Sequence, residues 1–110
     1  MKANLLSKIS DQQVATFYKD GVVILRNCFD AEWISLLKKG ISKNLSEPGE
    51  RSRIWDRNRN GGFTLYDSDN WCRIKEYEKF VFESSTGEIA AKLLNSRKVN
   101  FFFEAIFARS

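Results

Sequence analysis

Histidine is absent from this sequence of 110 residues. Its absence removes imidazole general bases, Ser-His and Cys-His nucleophile systems and the two-histidine, one-carboxylate iron triad from the chain itself. Cysteine is scarce: Cys28 and Cys72 stand alone, without a CxxC spacing or a histidine that would complete a zinc site. Reduced thiols are the expected state, with a disulfide or a reactive thiol as the alternatives. The single proline is Pro48, and no glycine-rich phosphate loop follows a strand, so Gly61-Gly62 reads as a turn. No apolar run approaches the roughly 18 residues that span a bilayer, and MKANLLSKIS lacks a long apolar segment followed by a small-residue cleavage site. The expectation is therefore a soluble, unsecreted, cytoplasmic protein.

What is present is apolar. Hydrophobic residues make up 43% and aromatic residues 14%, enough for residues 1–110 to form one domain with its own core. Much of the net charge of +4 lies in one run, ERSRIWDRNRN, residues 50–60. That run reads either as a phosphate-facing loop with Trp55 free to stack on a base, or as a solvated loop whose arginines pair with Glu50, Asp56 and Asp67. No helix-turn-helix, zinc or RRM signature accompanies it, which weighs against nucleic acid.

Along the chain, Ser10 and Gln13 form a capping box for a helix with Val14, Phe17 and Tyr18 on its apolar face and Gly21 at its end. The run Val22 to Leu25 predicts a strand buried on both faces. Asp30 caps a second helix, with Phe29 and Ile34 as a hydrophobic staple and a stripe of Ile34, Leu37, Ile41 and Leu45, stopped by Pro48-Gly49. Residues 49–62 read as a polar loop, and FTLYD as a strand. A third helix is expected from Asp69 or Asn70 through Glu83, with Trp71, Ile74, Tyr77 and Val81 on one side. Ser85 and Glu88 form a capping box for a fourth, carrying Ile89, Ala90, Leu93 and Leu94. Regular βαβ alternation is missing, so a doubly wound dinucleotide-binding sheet is not expected.

The closing stretch VNFFFEAIFARS places Val99, Phe101, Phe103, Ala105 and Phe107 on one face of an extended segment, while Phe102, Ile106 and Ala108 share the other with Asn100 and Glu104. A strand apolar on both sides needs cover, and an open apolar edge promotes association. A homo-oligomer paired through residues 99–108 is the expected partner state, with no membrane involvement.

Taken together, SDQQVATFYKDGVVILRNCFDAEWISLLKKGISKNL, Trp71, EYEKFVFESSTGEIAAKLLNSRKV and FFFEAIFARS resemble the N-terminal region of the phytanoyl-CoA dioxygenase family of iron(II) and 2-oxoglutarate-dependent oxygenases. The resemblance lies in the Phe17 to Gly21 step, the strand-like Gly21 to Asn27 and the helix opening Phe29 to Leu37. It implies an α+β chain that forms the buttressing helices and first strands of a double-stranded β-helix, a cupin-like jelly roll. That family hydroxylates small organic or acyl-CoA-like substrates, holding iron with a His-x-Asp pair and a distant histidine, all downstream of the region resembled here. The expectation is then a truncated fragment that binds neither Fe(II) nor 2-oxoglutarate alone and is inactive alone. The alternative is a non-catalytic oligomeric interaction module built on the same framework.

Within that resemblance, Arg109 falls where the family often has a lysine near the 2-oxoglutarate, and a guanidinium meets a carboxylate through a bidentate fork. Arg replaces Lys there, Ala105 stands where histidine is frequent, and a solvated terminus is the competing reading of Arg109. Arg51, Arg53, Trp55 and Arg57 are candidates for a substrate entrance favouring an anionic substrate. Trp33 and Trp71, beside apolar partners at helix starts, are expected to pack rather than to stack on a substrate.

Overall fold

The computed structural model describes residues 9–55 and 62–109, with Trp55 described by its backbone alone. It is a small α+β fold of four helices and a three-stranded antiparallel sheet among the described residues. The helices are α1 (Asp11–Asp20), α2 (Ala31–Ser46), α3 (Lys75–Glu83) and α4 (Thr86–Leu94), and the strands are β1 (Arg53–Trp55), β2 (Thr64–Ser68) and β3 (Ala105–Arg109). The sheet runs in the order β1-β2-β3.

Helix α1 forms where its caps place it. Ser10 Oγ accepts from the Gln13 amide at 3.1 Å, and the Ser10 amide donates to Gln13 Oε1 at 2.8 Å, closing the capping box. Gly21 ends the helix at φ 76°, a left-handed geometry that glycine adopts without strain. Val14 and Phe17 are half-buried and α1 lies against α4, but Tyr18 is 60% exposed, its ring edge-on to Phe17.

The expected strand at Val22 to Leu25 is not formed. The segment is extended, yet it pairs with none of the described strands, and Val22 and Ile24 are exposed while Val23 and Leu25 are half-buried. One face of the run rests on the protein and the other is open, instead of cover on both.

Asp30 caps α2 by accepting from the Trp33 amide at 3.1 Å. The buried stripe of α2 is rotated from the expected one: Ile34 and Leu45 are exposed, whereas Trp33, Leu37, Gly40, Ile41 and Asn44 turn inward. The reason is the approach of α3. A Cβ built on Gly40 would lie 2.8 Å from Tyr77 Cε1, so only glycine admits the Tyr77 ring at that distance. Phe80 of α3 packs on Phe29 and Trp33 with ring centroids 5.0 and 5.9 Å apart.

Three further expectations shift. A short strand, β1, lies within the expected loop 49–62 and pairs with β2. The third helix begins at Lys75 rather than Asp69 or Asn70, because Asp69 takes a left-handed φ of 61°, Asn70 to Arg73 form a turn, and Ile74 sits extended and buried before the first helical residue. Ser85 precedes α4 but makes no side-chain cap; the neighbouring Ser84 Oγ accepts from the Thr86 amide at 3.3 Å instead.

The last strand spans Ala105–Arg109, not residues 99–108. Its partner β2 stops at Ser68, where the turn at Asp69 carries the chain away, so residues 99–104 run extended without a ladder. The Asp69 amide still reaches Glu104 O at 2.9 Å, closing the end of the pairing. Phe101 packs edge-on against Trp71 and Phe82 at 5.6 and 5.9 Å, and Trp71 meets Phe82 at 5.5 Å. Trp33 and Trp71 are thus packing residues.

Candidate functional site

The sheet has two unlike faces. Alternation sends Leu65 and Asp67 inward, where they are 2% and 1% exposed, with Ile54, Ile106 and Ala108 on the same side. The opposite face carries Arg53, Thr64, Tyr66, the buried Ser68, Ala105, Phe107 and Arg109.

The inward face ends in a polar joint. Asp67 Oδ2 accepts from Asn44 Nδ2 and from the Gly49 amide, each at 2.7 Å, and Oδ1 accepts from the Ser68 amide at 2.9 Å. Burial works against the charge on Asp67, but the bonds from Gly49, Asn70, Asn44 and Ser68 outweigh it and hold the carboxyl below its ordinary value. Tyr77 Oη donates to Asn44 Oδ1 at 2.9 Å, joining α3 to α2 and through it to β2. Burial, with the charges of Glu104 and Asp67 beside it, pushes the Tyr77 phenol up to about 12 despite the opposing Arg73. Asn70 donates to Ser68 O and accepts from Arg73 Nε, whose guanidinium also donates to Glu47 O at 2.7 Å.

Gly49 fits this joint because it has no side chain. A Cβ there would run into Asn70 Oδ1 and come within 3.1 Å of Asp67 Oδ1. Glu104 joins from the other end, accepting from the Asn70 amide through Oε1, while its Oε2 is buried without a hydrogen-bond partner among the described residues. Among the described residues, amide donors occupy the oxygens of Asp67, and neither Arg51 nor Arg53 is among its partners. Outside the joint, Glu76 takes a bidentate contact from Lys43 Nζ at 2.9 and 2.7 Å, and that contact holds its carboxyl below the ordinary value.

The outward face gathers the candidate site residues. Arg53, Tyr66 and Phe107 form one cross-strand row, and Trp55, Thr64 and Arg109 are paired along the next. Tyr66 and Phe107 meet edge-to-face at 5.0 Å, and Phe107 remains 77% exposed. Arg109 is exposed on β3, and Arg53 is exposed on β1 with its Nη1 donating to Ser52 O at 3.0 Å. Two strand spacings, about 10 Å, separate β1 from β3. Arg51 is exposed in the turn before β1. Arg57 and Arg59 lie outside the described residues. The result is a shallow surface with cations at its margins and an aromatic pair at its centre, able to meet an anionic group through Arg53 or Arg109 and apolar matter through Phe107.

Among the described residues, no three of His, Cys, Asp and Glu converge to hold a metal ion, and no helix is long and apolar enough to cross a membrane. Cys28 and Cys72 are free thiols.

Asn44, Gly49, Asn70 and Glu104 escaped sequence reasoning. Asn44 sits one helical turn beyond Gly40, and that Gly-x-x-x-Asn spacing on an otherwise apolar stripe is the signal that marks a close, polar crossing.

Comparison with protein-family models, with curated proteins and with solved structures returns no match.

Proposed function

We propose that the chain supplies the helical buttress and opening strands of an iron(II) and 2-oxoglutarate-dependent oxygenase of the phytanoyl-CoA dioxygenase type. One observation carries this reading: helices and a polar joint back one face of the sheet, while the opposite face carries half-buried Tyr66 with the exposed Arg53, Phe107 and Arg109. In the resembled enzymes the corresponding face lines the jelly-roll interior. The alternation of β3 puts Arg109 and Phe107 on that side together.

The residues of this chain do not fit the iron, since no histidine is present and no metal-ligating cluster forms among the described residues. No oxygen chemistry is assigned to them. Their contribution is to bind and to exclude water: the Arg109 guanidinium offers paired N–H donors to a carboxylate such as that of 2-oxoglutarate, and Phe107 with Tyr66 forms an apolar floor beside it. Arg51 and Arg53, at the far margin, favour an anionic substrate.

The test is the coding sequence beyond codon 110. A His-x-Asp segment within a few tens of codons is expected, and joining it to the chain should produce 2-oxoglutarate binding that Arg109→Ala weakens at least tenfold, the cost of one charge-assisted pair. A natural stop at that point would sink the reading. It would favour a non-catalytic interaction module, which the missing histidines and the exposed Phe102 and Phe107 also fit.

A further inference from the structure

The hydrogen-bond phase of β3 determines what its free edge can accept. Because the Asp69 amide donates to Glu104 O, residues 104 and 69 form a hydrogen-bonded pair, and Ala105 opposite Ser68 does not. The alternation continues along the ladder. Ile106 and Ala108 spend their main-chain groups on β2, whereas the N–H and C=O of Ala105, Phe107 and Arg109 point away from it. All three residues are exposed, and β3 is an outer strand of the sheet among the described residues.

We propose that this edge pairs with the same edge of a second copy, antiparallel about a two-fold axis at Phe107, to form a continuous six-stranded sheet. The position of the axis follows from three constraints. Only Ala105, Phe107 and Arg109 offer outward main-chain groups, and an axis at Ile106 or Ala108 pairs just two of these three, for about four hydrogen bonds. An axis at Arg109 sets Arg109 against the partner's Arg109, which is repulsive, and an axis at Ala105 matches strand residues with 101–104, which form no ladder. An axis at Phe107 uses the whole strand, places each Arg109 opposite an alanine, and makes about six new main-chain hydrogen bonds.

The side chains complement the same register. Arg53, Tyr66 and Phe107 already form a row across one copy. The two-fold axis extends it into Arg53, Tyr66, Phe107 and then the partner's Phe107, Tyr66 and Arg53. Four aromatic rings join at the centre and the cations stay at the ends. A second copy thus covers Phe107, the most exposed large apolar residue of the strand, with its own equal. The other outer strand among the described residues, β1, bears Arg53, whose charge discourages edge pairing. This inference does not rest on the oxygenase reading, and either can fail alone.

The experiment is sedimentation equilibrium on the 110-residue chain, combined with amide exchange followed by NMR. The expected result is a dimer in which the amides of 105, 107 and 109 lose protection on dilution while those of 106 and 108 keep it. Ala105→Glu sets a carboxylate against the partner's Arg109 twice and should tighten the dimer about three- to tenfold, and Ala105→Lys should weaken it by a similar factor. Phe107→Pro removes an outward donor and no β2 bond, so it should yield a folded monomer. A chain that stays monomeric at millimolar concentration would overturn the proposal, as would a dimer indifferent to the sign of the charge at 105.

Discussion

Asp67 is a carboxylate kept from water and surrounded by donors, so its charge contributes to stability only while it is ionised. Its folded pKa lies below the ordinary value of 3.8, which means the contribution is present above about pH 4 and is lost as pH falls through the folded value. Asp67→Asn turns an amide donor toward Asn44, Gly49 or Ser68, and should cost about 2–3 kcal/mol at pH 7. Urea midpoints measured from pH 7 to pH 2 check both parts: the wild type should fall steeply below pH 4, and the variant should start lower and fall less. Equal slopes would mean that the acid sensitivity lies elsewhere. At this scale the sequence was least legible, because Asp67 reads in it as one acid beside many arginines. Nothing local says that Asn44, 23 residues earlier, will occupy it.

Among the elements, the crossing of α2 and α3 sets the rest. Alanine is a better helix former than glycine by about 1 kcal/mol, so Gly40→Ala would stabilise α2 if the helix were free. Against Tyr77 at 2.8 Å the substituted helix has to move away, and the expected net effect is a loss of about 1–3 kcal/mol, read as a lowered thermal midpoint. A raised midpoint would show that the crossing is loose. The sequence foretold what is local: the capping box at Ser10, the stop at Gly21, the cap at Asp30 and a strand in FTLYD, formed as Thr64–Ser68, each depend on neighbours within a few residues. It misplaced what depends on distant partners. The stripe of α2 turned toward Tyr77, the start of α3 yielded to the turn at Asp69, and β3 shortened to the length that β2 can pair. The outward face was legible in part, since strand parity groups Phe107 with Arg109, but the row with Arg53 requires β1, which composition had concealed in a loop.

For the molecule as a whole, the apolar core is small: Ile9, Leu65, Ile74 and Tyr77 are its fully buried members among the described residues. Stability therefore leans on the joint between helices and sheet, and Tyr77 belongs to both core and joint. Its phenol is neutral in the fold and raised to about 12, so its contribution is whole below pH 10 and fades between pH 10 and 12. Alkaline titration should show tyrosinate absorbance and loss of helical circular dichroism rising together in that window. Ionisation of all tyrosines with the helices intact would separate Tyr77 from global stability.

The joint also limits how the chain can diverge. An apolar core drifts freely, since leucine, isoleucine and methionine exchange at little cost. Asn44, Gly49, Asp67, Asn70 and Tyr77 have no such substitutes, because each is bound by an atom of particular chemistry or by the want of room for one. The spacing Asn-x4-Gly-x17-Asp-x2-Asn-x6-Tyr is thus the pattern expected to persist in distant kin of this chain after overall similarity has faded.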